Sequence, residues 1–248
     1  TRGVKVRGKK ALEDVMVRRL KEDIRAVQGG FPKRVVERIS IDGLPDDAPE
    51  LELSRLLDQY RTMREERFAG ASRRSQTSAG LLVVGLQQRL LSSIEAFAKS
   101  LEVHRATVER QWAKGDNRAA AQPAVLGADL FTQAPDADDD RAEWTPDEQD
   151  AEEAAEVEAL TVAAEAESDR DEAIERMWRR EQAILDRMQE IADQSRHLPD
   201  AKVLRLIDWI RANMCPDLPE FGAERTGPLA QWNDRRVLIF TENREGTQ

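Results

Sequence analysis

The tetrapeptide Asp147-Glu148-Gln149-Asp150 has residue types that could hold a magnesium ion, because this ion prefers oxygen ligands. In ATP-hydrolysing enzymes an acidic motif of this kind works at the end of a buried strand, where a carboxylate meets both the metal and the nucleotide. Here it follows Trp144-Thr145-Pro146 in a polar stretch. We therefore predict that the tetrapeptide begins a helix rather than forms a metal site.

The remaining reactive side chains are few and lie far apart. The only histidines are His104, which we predict to be solvated or interfacial, and His197, and the only cysteine is Cys215, which we predict to be inert. Asp171-Glu172-Ala173 falls inside a predicted helix, away from any strand end. The phosphate-binding pattern G-x-x-x-x-G-K-[ST] does not occur. The sequence thus predicts no catalytic residue, no metal site and no cofactor site in this chain.

The composition favours long, solvated helices over a compact core rich in aromatic residues. Charged residues make up 35%, aromatic residues 5%, and the mean hydropathy is −0.64. No apolar run approaches the roughly 18 residues that a membrane span requires, and the first residues do not form a signal-peptide pattern. We expect a soluble protein of a reducing compartment, in the cytoplasm, without membrane contact.

The net charge of −10 hides an uneven distribution. Between Asp129 and Glu175 there are nineteen acidic residues against two arginines, a local balance of −17, which leaves +7 for the rest of the chain. The basic remainder is compatible with contact to phosphate groups, whereas the acidic insert would repel a nucleic-acid backbone.

Helical periodicity dominates the chain. Apolar residues recur at helical spacing in 11–27, and they form one broad face after the helix-start signal at 46–49. The most apolar segment, 75–112, predicts one helix or a kinked pair of helices, with close packing at Gly85. Pro199-Asp200 begins a last helix.

The second half of the chain combines a linker with a long helix. Residues 116–150 are acidic, contain prolines and lack periodicity, so they predict a flexible linker. Residues 151–197 predict one continuous helix, folded against the 75–112 segment as an antiparallel hairpin; at about 1.5 Å per residue it would span roughly 60 Å. Its apolar seam is broken once, by Glu181.

Two stretches predict strands. Val and Ile are enriched in 31–42, before Asp42-Gly43. Near the carboxyl terminus Val237-Leu238-Ile239-Phe240 is a continuous apolar run, as expected for a buried parallel strand. A parallel strand needs neighbouring strands and long crossover connections. We therefore expect this strand to be the first of a sheet that the sequence does not complete.

Three blocks follow one another along the chain: VMVRRLKEDI (15–24), QQRLLSSIEAFAKSL (87–101), and DAKVLRLIDWI (200–210) with RVLIFTE (236–242). Together they resemble Swi/Snf-related helicase-like ATPases of superfamily two. The first block resembles the end of that family's first ATPase lobe, the second its inter-lobe segment, and the third the Asp-x-Lys helix and first strand of its second lobe. Within the family the resemblance is to the bacterial RapA-like branch, and there to the helicase subunit of DISARM-type antiphage systems.

The resemblance implies an organisation in five segments. These are 1–42, the end of a first RecA-like lobe; 43–115, an inter-lobe helical region; 116–150, the acidic flexible linker; 151–197, the long helix of a helical insert; and 198–248, the start of a second lobe. The expected fold class is therefore mainly α, with long helices in a hairpin or bundle, plus isolated strands of incomplete RecA-like α/β lobes. ATP and Mg²⁺ would be bound by the parent protein, outside this chain.

The resemblance also suggests residue roles. The expected basic block between the lobes consists of Arg18, Arg19 and Lys21. An equal alternative for that block is a solvated helix face with salt bridges. Arg89 would lie where the helical connection meets the second lobe, and it is a candidate nucleic-acid contact. Thr241 and Arg244 would lie at the carboxyl end of the terminal strand, facing a nucleic-acid backbone.

These expectations describe the inter-lobe region of an ATP-dependent translocase that couples lobe closure on ATP to a step along duplex DNA. The alternative is a non-enzymatic helical adaptor, whose hairpin or acidic linker binds other proteins.

Overall fold

The computed structural model describes residues 38–114, 145–166, 171–224, 229–237 and 239. The chain divides into two compact units, Thr1–Ser40 and Ile41–Gln248, and every element below belongs to the second. The described residues form six α-helices: α1 (Pro49–Arg67), α2 (Arg73–Ser92), α3 (Ile94–Ala113), α4 (Pro146–Glu165), α5 (Glu172–Ser195) and α6 (Ala201–Met214). The predicted mainly α fold is confirmed.

Short polar side chains begin five of these helices. Each accepts a hydrogen bond from the backbone N–H three residues later, which satisfies one of the donors that a helix leaves unpaired at its start. The five are Ser72, Ser93, Thr145, Asp171 and Asp200. At Thr145 the bond is reciprocal, because the Glu148 carboxylate accepts from the Thr145 N–H at 2.7 Å. The prediction that Asp147-Glu148-Gln149-Asp150 begins a helix is therefore confirmed.

Five helices form a bundle around one apolar core. α1 packs against α2 and α5, α4 packs against α2 and α3, and α5 also contacts α3. The predicted kinked pair in 75–112 is confirmed: Ser93 is extended (φ −159°, ψ 157°) and alone separates α2 from α3. Fully buried residues of the core include Leu53, Leu82, Phe97, Leu101, Leu185 and Met188. Burying each of these large side chains contributes about 1.5–3 kcal/mol.

The prediction of one helix over 151–197 is wrong. α4 ends at Glu165, and Asp171 has extended backbone (φ −80°, ψ 170°). The Asp171 carboxylate accepts from the Ile174 N–H at 2.8 Å, so this residue begins α5 rather than lying in mid-helix. Aspartate competes for nearby backbone donors in this way, which favours a new start over a continued helix. The break lets α4 pack on α2 and α5 pack on α1, while both contact α3.

No strand occurs among the residues that the structure describes. Residues 38–42 and the described part of the terminal run, Val237 and Ile239, are neither strand nor helix. A lone strand would leave its ladder donors and acceptors unpaired, and the described ranges hold no strand with which these residues could pair. The rest of both predicted strands, the helix at 11–27 and residues 116–144 of the predicted linker lie outside the described residues. The linker prediction is wrong for residues 146–150, which form the first turns of α4 behind the Thr145 cap.

The carboxyl-terminal part of the described chain differs from the bundle. α6 is amphipathic, yet it contains no fully buried residue. Of the eleven large apolar side chains that are exposed in the described residues, six lie from position 198 onward. They are Leu198, Leu204, Phe221, Leu229, Trp232 and Ile239. Within the described ranges, this segment therefore has no apolar core comparable to that of the bundle.

None of the described helices combines the length and apolar character that crossing a membrane requires.

Replacing Gly80 with alanine should stabilise the bundle. Gly80 is exposed within α2, and a Cβ built on it meets no atom within 4 Å. Glycine in a helix interior costs about 1 kcal/mol relative to alanine. We expect Gly80→Ala to raise the free energy of unfolding in urea by about that amount.

The matched control is Gly43→Ala. Gly43 is also exposed and open, but its φ is +77°. Alanine is strained by about 1–2 kcal/mol in this left-handed conformation, so the control should be destabilising or neutral. An equal gain from both substitutions would contradict the assignment of Gly80 to an unstrained helix interior.

Candidate functional site

Most of the site residues suggested by the sequence fall outside the described chain. They are Arg18, Arg19, Lys21, Thr241 and Arg244. Arg89 is described, on α2, with its side chain 11% exposed. Its Nη2 lies 3.5 Å from Glu153 and 3.7 Å from Glu156, both on α4. Arg89 thus joins α2 to α4, and contact with a nucleic-acid phosphate would require it to leave these carboxylates.

The most unusual chemistry in the described residues is a buried group of four charged side chains, which we call the ion cluster. It consists of Arg64 and Arg67 on α1, Glu165 at the end of α4 and Glu181 on α5. Arg67 donates to both carboxylate oxygens of Glu165, at 2.9 Å from Nη1 and 2.7 Å from Nη2, and its Nε donates to Glu181 at 2.7 Å. Arg64 donates from Nη1 to Glu165 at 3.1 Å. The cluster therefore joins three helices through charge-assisted hydrogen bonds.

The two carboxylates of the ion cluster have different electrostatic environments. Burial alone would raise the pKa of Glu165, but Arg67 and Arg64 outweigh it and lower that pKa to about 2. Burial raises the pKa of Glu181, and its attraction to Arg67 offsets only part of the effect. Glu165 is thus the carboxylate that stays ionised beside the two arginines, whereas Glu181 is protonated more easily.

A chain of hydrogen bonds extends from the ion cluster through the core. Arg64 Nη1 donates to the Tyr60 oxygen at 2.8 Å, and that oxygen lies 2.6 Å from Nε2 of His104. On the other side of the imidazole, Nδ1 lies 2.8 Å from Thr161 Oγ1, while the Thr161 hydroxyl donates to the Val157 carbonyl at 2.7 Å. Because the single Thr161 proton is used there, Thr161 must accept from Nδ1–H. In the neutral imidazole the proton is therefore on Nδ1, and Nε2 accepts from the Tyr60 hydroxyl.

Of the two expectations for His104, solvated or interfacial, the solvated one is wrong: this side chain is completely buried where α3 packs against α1 and α4, between Tyr60 and Thr161. Burial, and then the positive charge of Arg64, place the pKa of His104 well below its ordinary value. Cys215 is also buried, and its thiol lies 3.3 Å from the Gln231 carbonyl oxygen, where it donates a weak hydrogen bond.

Sequence reasoning missed the two arginines, although a signal was present. The buried residues of α1 are Leu53, Leu57, Tyr60, Arg64 and Arg67, spaced by three or four residues. The charged pair therefore continues the apolar face rather than the solvated one. On α5, Glu181 interrupts an apolar seam in the same way, and a core position occupied by a charge calls for an opposite charge elsewhere.

The chemistry of the ion cluster is suited to a structural role, in which paired charges hold three helices together. Among the described residues there is no group of three or more His, Cys, Asp or Glu side chains that could hold a metal ion. The ring of Phe68 lies against both arginines, with its centroid 4.9 Å from the guanidinium carbon of Arg64 and 4.4 Å from that of Arg67. Aromatic contact and paired carboxylates together hold the guanidinium groups in fixed orientations.

The chain matches no protein-family model, no curated protein and no solved structure.

Glu165→Gln should strongly destabilise the bundle. The substitution leaves Arg64 and Arg67 buried with one carboxylate between them, and breaking a buried ion pair in this way costs about 3–5 kcal/mol. The loss should appear as a lower free energy of unfolding in urea. Glu158→Gln, on the same helix, removes a carboxylate that is 46% exposed and pairs with Arg110 at 3.0 Å. This control should change stability by less than about 1 kcal/mol; similar losses in both variants would show that burial does not distinguish the two pairs.

His104 should make the protein less stable in mild acid. Its folded-state pKa is depressed, so its contribution to stability is complete above the unfolded value of 6.5 and is lost as the pH falls below it. The expected slope is about 1.4 kcal/mol per pH unit. Glu181 has the opposite effect on the pH dependence of stability. Its raised pKa means that the folded protein binds a proton at a higher pH than the unfolded chain does.

The difference between wild type and His104→Asn isolates the histidine, since Glu181 is present in both. Urea unfolding at several pH values between 5 and 6.5 should give a flatter dependence for the variant. An unchanged dependence would mean that His104 is not the neutral, buried group described above.

Proposed function

We propose that this chain is the helical region between the two lobes of an ATP-driven nucleic-acid translocase related to the Swi/Snf family. In this proposal ATP and Mg²⁺ are bound by the parent protein, duplex DNA is its substrate, and antiphage defence of the DISARM type is its setting. The bundle transmits the closure of one lobe on the other.

The observation that carries the proposal is a contact between two of the three resembling blocks. Lys202, in the Asp-x-Lys sequence of the third block, donates to the carbonyl oxygens of Leu91 and Ser92 in the second block. These are the last carbonyls of α2, where the helix leaves acceptors unpaired and favours a positive charge. Asp200 begins α6 by accepting from the Val203 N–H at 2.8 Å. Both motif residues thus have a physical use at one joint, although Lys202 and Ser92 lie 110 positions apart in the sequence.

An ion pair supports the same joint. Arg196 donates to both oxygens of Glu95, which is also in the second block, at 2.5 and 2.8 Å. The Ala201 N–H donates to Glu50 at the start of α1 at 3.0 Å. The beginning of α6 is therefore attached to the bundle by charged and backbone groups rather than by apolar packing. Such an attachment suits a connection between two bodies that move relative to each other.

The exposed apolar residues from Leu198 onward agree with this role. A segment that displays Phe221, Leu229 and Trp232 is suited to burial against another domain. In the proposal that domain is the second lobe, and the strand predicted at 237–240 is part of it. Thr241 and Arg244 then contact the nucleic-acid backbone, while Arg18, Arg19 and Lys21 lie between the lobes.

The alternative is a helical adaptor protein, and one observation favours it. The bundle buries its own core, so it does not require a neighbouring lobe to fold. The genomic sequence on both sides distinguishes the two functions. In-frame flanks with a phosphate-binding loop before this segment and arginine motifs after it support the translocase, whereas start and stop codons at its ends support the adaptor.

We expect the isolated chain to hydrolyse no ATP, with or without DNA.

Lys202→Gln should uncouple ATP hydrolysis from DNA translocation in the proposed parent protein. Without the ammonium group the joint loses its attachment to α2, while the nucleotide site of the parent is untouched. We expect ATP hydrolysis to persist while DNA translocation per ATP falls about fivefold or more, in the range of ordinary coupling energies. Lys99→Gln is the control, because Lys99 is similarly exposed at 43% but lies on α3 and pairs with Asp150. Equal effects of the two substitutions would count against the joint.

A further inference from the structure

Asp42-Gly43 is the only place in the sequence where an aspartate or asparagine directly precedes a glycine. The pair lies just after the first compact unit ends at Ser40, and before α1 begins at Pro49. An aspartate carboxyl and the backbone nitrogen of the next residue can react to close a five-membered ring. Glycine leaves that nitrogen accessible, because it has no Cβ beside it.

The structure leaves both reacting groups free. Asp42 and Gly43 are exposed, and residues 38–45 form neither helix nor strand. In the part of the chain that the structure describes, the Asp42 carboxylate has no ion pair or hydrogen bond, and the Gly43 N–H donates none. Reaction between the two groups therefore breaks no hydrogen bond of the folded protein.

The space around Gly43 is also open. Apart from its two chain neighbours, no atom lies within 4 Å of the position that a Cβ would occupy. Its φ of +77° belongs to the left-handed region, which favours glycine. The backbone conformation, rather than close packing, thus selects glycine here, and nothing crowds the approach of the Asp42 carboxyl to the nitrogen.

Asp47 shows the opposite arrangement a few residues later. Its carboxyl is also exposed, but the next residue, Ala48, is only 7% exposed. The Ala48 N–H donates to the Pro45 carbonyl oxygen at 2.9 Å. This nitrogen can turn toward the Asp47 carboxyl only by losing that hydrogen bond and leaving its buried position.

We propose that Asp42 is a site of spontaneous isomerisation to isoaspartate. The Gly43 nitrogen attacks Cγ of the protonated Asp42 carboxyl, and the carboxyl hydroxyl leaves with the amide proton as water. Water then adds to one of the two ring carbonyls next to this nitrogen and breaks the bond between them. Cleavage at Cγ restores aspartate, whereas cleavage at the former main-chain carbonyl gives isoaspartate. The reaction requires no enzyme, cofactor or oxidant.

Isomerisation changes the main chain between the first unit and α1. It lengthens the main chain by one methylene group and leaves the former carbonyl as a free carboxylate. The bundle should remain intact, because neither Asp42 nor Gly43 belongs to its core. The inference is independent of the proposed function, since it depends only on these two residues and their surroundings.

The test is slow ageing of the full chain at neutral pH and near body temperature. Peptide mapping should show a peptide of unchanged mass but altered retention, which resists a protease that cleaves before aspartate at position 42. A minor form lighter by one water should accompany it as the ring intermediate. Aged and fresh protein should unfold at the same urea concentration.

Two variants separate the dipeptide from its surroundings. Gly43→Ala places a Cβ beside the nitrogen and should slow isomerisation about tenfold or more, which corresponds to about 1.4 kcal/mol in the activation barrier. Ala48→Gly creates a second Asp-Gly pair at a helix start, where glycine is tolerated. Because the nitrogen of this pair is hydrogen-bonded and buried, Asp47 should isomerise at least about tenfold more slowly than Asp42 in the same molecule.

Three results would overturn the proposal. The first is isoaspartate at position 42 in the urea-unfolded chain but not in the folded one, which would show that the fold keeps the carboxyl away from the nitrogen. The second is an unchanged rate in Gly43→Ala, and the third is equal rates at Asp42 and Asp47 in Ala48→Gly. Urea unfolding checks that Ala48→Gly is folded; if it is not, the first two comparisons decide.

Discussion

The bundle depends on one buried interaction, the bidentate pairing of Arg67 with Glu165 and its extension to Arg64 and Glu181. Four charges removed from water are tolerated only when each finds its partners in good geometry. Because the partners come from α1, α4 and α5, a shift of any one helix by a single residue would leave a charge unpaired. The ion cluster thus selects one register among the several that an apolar core of leucines and alanines would accept.

Pairing of opposite charges between helices also organises the charged side chains on the outside of the bundle. Read along the sequence, the chain has a basic body and an acidic insert. In the structure, the carboxylates of α4 face the basic side chains of the earlier helices: Asp150 pairs with Lys99, Glu153 and Glu156 with Arg89, and Glu158 with Arg110. Much of the basic charge is therefore used within the bundle. Contacts with a nucleic acid, in the proposed function, would come from the segments before and after it.

The bundle and the carboxyl-terminal segment are stabilised by different forces. The bundle combines an apolar core with buried ion pairs, so it is suited to act as a rigid body. The start of α6 is held by Lys202, Arg196 and the backbone of Ala201, which are hydrogen-bonded groups near solvent. Such contacts exchange with water more readily than an apolar core does. A rigid body with an adjustable attachment is the arrangement that the proposed function requires.

The sequence by itself determined most of the helices, because apolar spacing and capping residues are local properties: the starts at 46–49, at the tetrapeptide 147–150 and at 200, and the kink in 75–112, could all be predicted. It did not determine the break at Asp171, since aspartate is compatible with both a helix interior and a helix start. The burial of Arg64, Arg67 and His104 was decided only by the tertiary structure. Their partners lie about 40 to 115 residues away in the sequence, and a charged side chain belongs in a core only when such partners are brought to it.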